Sequence, residues 1–205
     1  MPEPRVLLCG PALDLAESAA SLEMLRGIAI PGAEKFVVTT GKFDTQKDAR
    51  AFNVEADYPA QTAYMQTLAR WAEVPEWPDR RFRDGYDLYC LQRILAANDR
   101  FDIAVLIRDG GNFSEHWPQL LEKLADSYFL VFGAEGGPAG LVLNLQKEGV
   151  GAFLDYGLQI FSTGRSYAIE PYDLDRVLKL AHGALDFGDA LSRSLEVAGG
   201  ERALG

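Results

Sequence analysis

The chain has 205 residues, 48% of them hydrophobic, which suffices for one large core and gives little room for a second independent domain. With 20 Lys and Arg against 30 Asp and Glu the formal net charge is -10. That balance argues against DNA, RNA or an anionic membrane as partner, because such binding draws on clustered cations. No run reaches the roughly 20 apolar residues a bilayer span requires, and Met1-Pro2-Glu3-Pro4-Arg5 lacks the basic-then-apolar order of an export signal, so the expected location is cytoplasmic.

In chain order, residues 5–9 form a short apolar run stopped by Gly10-Pro11, the pattern of a buried strand ending in a tight turn. Leu13, Ala16, Ala20, Met24 and Leu25 then recur near helical spacing over 13–26, and Pro31-Gly32 punctuates. Residues 35–40 are β-branched enough for a second strand before Gly41. This β-α-β unit implies a right-handed crossover and a parallel pair. Residues 42–85 interrupt the pattern: helix-like pieces at 44–52 and 60–72 lead into a Pro-rich, charged stretch over 73–85, expected as a helical insertion and a long loop, a candidate lid.

Alternation resumes with a helix over 86–98 and the nearly all-apolar run 101–107, which suits a central parallel strand. A helix over 115–125, a strand over 128–132 and a helix over 138–147 with Pro138 in its first turn are expected next. Strands at 158–162 and 166–169 and a helix over 173–185 capped by Asp173 complete the reading. The predicted fold is α/β: an open, mostly parallel sheet with helices on both faces, Rossmann-like and three-layered, with the helical insertion after the second strand. One domain spans 1–185, and 186–205 forms a tail expected to be flexible.

Ligands of open parallel sheets bind beyond the carboxyl ends of the strands. Those ends carry Gly10-Pro11, Thr39-Thr40-Gly41, Arg108-Asp109-Gly110-Gly111-Asn112 and Gly133-Ala134-Glu135-Gly136-Gly137. The Arg108–Asn112 turn is the most informative: its glycines would let backbone approach a ligand, and a glycine-flanked helix start suits an anion. It also suits an ordinary turn capped by Ser114. Gly133–Gly137 matches neither G-x-G-x-x-G nor a Walker A loop, so no dinucleotide is claimed.

Two acids are candidates for catalysis. Asp87 is expected to start the helix before the central strand and Glu115 the helix after it, so both would lie at the carboxyl edge. The helix dipole alone would also favour acids at these places. His116 and His182 are far apart, and Cys9 and Cys90 form no C-x-x-C, so no metal and no cofactor is expected and the thiols read as buried hydrophobes. Trp71, Trp77, Trp117, Tyr58, Tyr64, Tyr86 and Tyr89 would either stack a base or sugar or pack the insertion on the sheet.

With these residues in view the chain resembles the nucleoside 2-deoxyribosyltransferases and their nucleotide N-hydrolase relatives. Leu8-Cys9-Gly10-Pro11 is similar to that family's opening turn, Asp87-Leu88 to its Asp-Leu pair ahead of an apolar strand, and Glu115 stands where an early helical Glu is the nucleophile. The setting differs, Glu115 being followed by His116-Trp117-Pro118, and 42–85 is longer than the family needs. The resemblance implies cleavage or transfer of a nucleotide or nucleoside N-glycosidic bond. Glu115 would attack the anomeric carbon, Asp87 would orient it or a sugar hydroxyl, and Gly10, Gly110 and Gly111 would contact phosphate or sugar.

A second resemblance is to small GT-A-like nucleotide-sugar glycosyltransferases. It rests on the first strand ending in Gly-Pro, the second ending in Thr-Thr before Gly41, the Leu91-Gln92-Arg93 helix and the apolar strand ending in Arg108-Asp109. Phe153-Leu154-Asp155 is a later acidic candidate, and Arg108-Asp109-Gly110 lacks the D-x-D motif that commonly holds a metal there. A non-catalytic α/β ligand-binding module is the third alternative. Across the readings the expected partner is a small nucleotide or sugar, with 137–157 a candidate subunit contact in a homo-oligomer.

Overall fold

The computed structural model describes residues 3–45, 47–56, 59–71, 80–108, 110, 113–134, 137–147, 150 and 154. The fold is α/β, built on a six-stranded, mostly parallel mixed sheet.

β1 (Val6–Gly10) and β4 (Ile103–Ile107) are buried at every position, as runs of aliphatic residues at the middle of a parallel sheet should be. β1 pairs in parallel with β4 on one side and with β2 (Glu34–Thr39) on the other. β2 in turn pairs in parallel with β3 (Arg50–Asn53) at the edge. Beyond β4 the sheet continues through β6 (Gly137–Asn144), antiparallel to β4, to β5 (Phe129–Ala134), antiparallel to β6. Two reversals make β5 parallel to β4, so β6 is the single reversed strand in the order β3-β2-β1-β4-β6-β5.

Among the described residues four helices connect the strands. α1 (Leu15–Gly27) starts at Asp14, whose carboxylate accepts the Glu17 N–H at 2.9 Å, and packs on β1 and β2. α2 (Pro59–Trp71) begins on a proline, which has no N–H to leave unsatisfied there, and packs against α3 (Arg80–Ala97). α4 (Phe113–Asp126) buries Phe113, Trp117, Leu120 and Leu124 and packs on β5 and β6.

Three elements differ from the sequence expectation. Residues 138–147 form most of β6 and its exit, not a helix: Leu141, Val142 and Leu143 are buried between β4 and β5, and a short buried apolar run has no periodicity that separates strand from helix. Pro138, which cannot donate to a ladder, pairs at the register shift between Phe132 and Gly133, where regular pairing is already interrupted. Residues 44–52 are not a helix either. Lys47 has φ 70°, the left-handed region that breaks a helix, and β3 follows, polar because it is an edge strand exposed along most of its length. The third helix begins at Arg80, several residues ahead of the expected start at 86, so Asp87 sits in its interior and not at its first turn. Smaller shifts occur at other ends, such as β5 starting at Phe129 instead of Tyr128. The expected elements at 158–162, 166–169 and 173–185, and the tail 186–205, lie outside the described residues.

Candidate functional site

From β1 the chain winds to β2 and β3 on one side, then returns past β1 to lay β4 on the other. The carboxyl ends of β1 and β4 therefore flank the point where the winding reverses, the place where open α/β sheets hold ligands. Asp87 and Arg108, singled out separately in the sequence, meet there: the Arg108 Nε–H donates to Asp87 Oδ2 at 2.6 Å.

Among the described residues the pair belongs to a chain of charges that includes four members. Arg83, one helical turn before Asp87 on α3, donates its Nε–H to Asp87 Oδ1 at 3.0 Å. Its Nη1 and Nη2 reach Glu17 Oε1 and Oε2 at 2.9 and 2.8 Å, a two-pronged contact from α3 to the first turn of α1. Glu17 Oε2 also accepts the Leu13 N–H at 2.7 Å. Along the sequence Glu17, Arg83, Asp87, Arg108 the signs alternate. The Asp87 side chain is 0% exposed, while Arg83, Arg108 and Glu17 are 24%, 29% and 33% exposed, so one sealed carboxylate anchors groups that reach the surface. Burial opposes the charge on Arg83, but Asp87 and Glu17 outweigh it and raise the pKa above its ordinary value.

The loop after β1 is pinned by its neighbours. The Tyr86 hydroxyl donates to the Ala12 carbonyl at 2.7 Å, and the Ser21 hydroxyl donates to the Pro11 carbonyl at 3.0 Å. Gly10 is explained by packing: a Cβ there would stand 3.0 Å from Ser21 Cβ and 3.2 Å from Leu25 Cδ1, so its absence lets α1 approach β1. Gly110 similarly faces α1, with Met24 Cγ 3.0 Å from the position a Cβ would take. Both glycines thus let α1 come close to the strand ends.

The remaining sequence candidates divide. Glu115 is exposed in the first turn of α4, whereas Asp87 is enclosed, so the two acids occupy unlike environments. Ser114 does not cap α4; its Oγ accepts the Ala29 N–H at 2.9 Å and ties α4 to the chain just after α1. Asp109, Gly111, Asn112, Tyr58 and Trp77 lie outside the described residues. Tyr86, Tyr89 and Trp117 are buried; Tyr86 is ring-packed with Tyr89 and Trp117 with Phe113, while Tyr64 is 45% exposed. Cys9 and Cys90 are buried free thiols; burial, then the Asp87 charge for Cys9 and Cys9 for Cys90, raises both pKa values.

Sequence reasoning missed Glu17 and Arg83. Two signals pointed to them: Asp14-x-x-Glu17 at a helix start, and Arg83 four residues before Asp87. Among the described residues no three His, Cys, Asp or Glu side chains converge as metal ligands. A cavity of about 290 Å³ lined by Gln92, Leu95, Asp99, Phe101 and Leu145 lies by the end of α3 and the start of β4, at the opposite edge of the sheet from this charge network. No helix among the described residues is long and apolar enough to cross a membrane. No protein-family model, curated protein or solved structure matches the chain.

Proposed function

We propose that the protein binds a nucleotide-sugar over the carboxyl ends of β1 and β4 and acts as a small GT-A-like glycosyltransferase. The observation that carries this reading is the strand order β3-β2-β1-β4-β6-β5 with β6 alone reversed. That order brings the ends of β1 and β4 to the reversal of winding where open α/β sheets hold nucleotides, and the ends of β1, β2 and β4 are the residues that resemble GT-A-like transferases.

Local chemistry agrees with a phosphate seat at β4 in preference to α1. At the start of α1 the Leu13 and Glu17 N–H groups are taken by the carboxylates of Glu17 and Asp14, so acids of the chain itself hold the place where a dinucleotide phosphate would otherwise dock. At the end of β4 the first side chain is Arg108, a cation partly open to solvent. Its planar guanidinium suits phosphate oxygens and would stabilise the charge that develops on a leaving diphosphate. The metal that GT-A-like enzymes commonly hold at this place does not fit the described residues. Arg108 stands directly after the strand, and both oxygens of the nearby Asp87 carboxylate are engaged by guanidinium groups.

The N-glycosidic reading keeps one observation in its favour, the exposure of Glu115 at the start of α4. It gains nothing from Asp87, which has no exposed surface from which to orient a sugar. Thermal-shift measurements separate the readings. A nucleoside diphosphate sugar at 100 times its Kd should stabilise the native state by about 2.7 kcal/mol, which is roughly 5–10 °C for a chain of this size. A response confined to nucleoside monophosphates or NAD, with base release abolished by Glu115→Gln, would replace the transferase with an N-glycosidase. Silence toward all of them would leave a binding module for some other ligand.

A further inference from the structure

We infer that the cavity between the end of α3 and the entry to β4 is a second binding site, built for a small protonated amine carried on an aryl or alkyl body. The inference goes beyond the nucleotide-sugar reading and does not depend on it, because the cavity lies at the opposite edge of the sheet from the carboxyl ends of β1 and β4.

Three observations converge. First, the space has the size and the walls of a small ligand site. Its volume of about 290 Å³ lies at the small end of the range for pockets that hold small molecules, about 300–1,000 Å³. Leu95, Phe101, Leu145 and Leu154 line it, and all four pack with the hydrophobic core, so the walls are apolar and held in place. Second, an acid without an ion-pair partner stands on the lining. Asp99 is exposed and takes part in no hydrogen bond or ion pair among the described residues; its field reaches Arg5, which Asp102 already holds. Asn98 beside it donates its Nδ2–H to the Ile94 carbonyl at 2.9 Å, which leaves the amide oxygen as a second acceptor. Third, the helix end at this cavity is negative and uncompensated. α3 runs for 18 residues and carries no basic residue in its last turn, where a cation ordinarily offsets the dipole. Arg93 and Arg100 are held elsewhere, Arg93 over the Tyr89 ring and by the Gln92 amide oxygen, Arg100 by Glu34. A ligand ammonium beside Asp99 supplies the missing cation, and its apolar body covers the aliphatic and aromatic walls.

Amide 15N NMR titration of the full chain at neutral pH with phenethylamine, phenethyl alcohol and phenylacetate tests this, since the three share a ring and differ in charge. Phenethylamine should shift the amides of Leu95, Asp99, Phe101 and Leu145 saturably. It should bind about two- to fivefold tighter than the alcohol, the strength of one partly screened charge pair, and phenylacetate should bind weakest. Asp99→Asn should erase the preference for the amine and leave alcohol binding unchanged, which the loss of a merely structural residue would not do. Ala96→Phe, at an exposed helical position on the lining, should weaken all three probes by filling the space. The amide spectrum shows whether that variant is folded, and Asp99→Asn carries the test if it is not. The inference is overturned if no probe gives saturable shifts, if the shifts centre elsewhere, or if amine and alcohol bind equally. It is also overturned if the amine preference survives Asp99→Asn or if folded Ala96→Phe binds as the native chain does. None of these outcomes touches the nucleotide-sugar reading, because no probe carries a phosphate or a sugar.

Discussion

Replacing Asp87 with Asn keeps the shape of the side chain and removes its charge, and the consequences follow from its two contacts. In the native protein each oxygen accepts one guanidinium Nε–H, from Arg83 at 3.0 Å and from Arg108 at 2.6 Å. The amide can still accept from one arginine, but its NH2 then faces the donor of the other. One charge-assisted hydrogen bond is lost and two N–H donors oppose each other inside a site with 0% exposure. Breaking a fully buried pair costs about 3–5 kcal/mol, but Arg83 and Arg108 are 24% and 29% exposed and can turn toward water, and Arg83 keeps Glu17. The discounted expectation is a loss of about 2–4 kcal/mol, or a fall in Tm of roughly 4–16 °C. Urea denaturation of wild type and Asp87→Asn measures it directly, with an unchanged slope confirming that the same surface unfolds. A loss below about 1 kcal/mol would refute the idea that Asp87 is the buried anchor of the network.

Other perturbations follow from the same geometry. Gly10→Ala forces a Cβ to 3.0 Å from Ser21 Cβ, an atom fixed to the α1 backbone, and should destabilise by about 1–3 kcal/mol in urea. Gly110→Ala meets Met24 Cγ at 3.0 Å, an atom that turns away by rotation about Cα–Cβ as Ser21 Cβ cannot, and should cost less than Gly10→Ala; equal costs would contradict the packing account. Tyr86→Phe leaves the buried Ala12 carbonyl without its donor and should cost about 1–3 kcal/mol by the same measurement. Away from the site, the Arg5 side chain and then its backbone N–H hold the Asp102 carboxyl near a pKa of about 2, below its ordinary 3.8. A depressed folded pKa stabilises above the unfolded value, and that contribution is lost as pH falls through about 2. Asp102 lies at the surface, so its effect on stability is small, and carboxyl NMR is the better readout. In Arg5→Gln the backbone bond at 2.9 Å remains, so the pKa should climb toward 3.8 without reaching it.

The central architecture was legible because its signals are local. The aliphatic runs of β1 and β4 and the cap of α1 are written in consecutive residues, and the strand-end rule then directs attention to Arg108. Asp87 was also singled out, but for a different reason from the one the structure supplies. It was expected at a helix start, and it acts from the interior of α3 as the partner of two arginines. Arg83 was hidden because 73–85, rich in proline and charge, reads as loop, although α3 already runs through its last residues. β6 was hidden because Leu-Val-Leu has the same composition in a helix as in a strand, and only its neighbours β4 and β5 decide the matter. β3 was hidden because an exposed edge strand carries the polar residues of a loop. The close approach of Gly10 and Gly110 to α1 is a tertiary property that no local pattern encodes.

The most direct test is to follow the arginine Nε–H resonances by 15N NMR while a nucleoside diphosphate sugar is added. Arg108 should shift most and Arg83 should follow through their shared partner Asp87, with residues around the cavity at Gln92 and Phe101 undisturbed. Saturable shifts that centre on that cavity and leave Arg83 and Arg108 unmoved would contradict a ligand site at the reversal between β1 and β4.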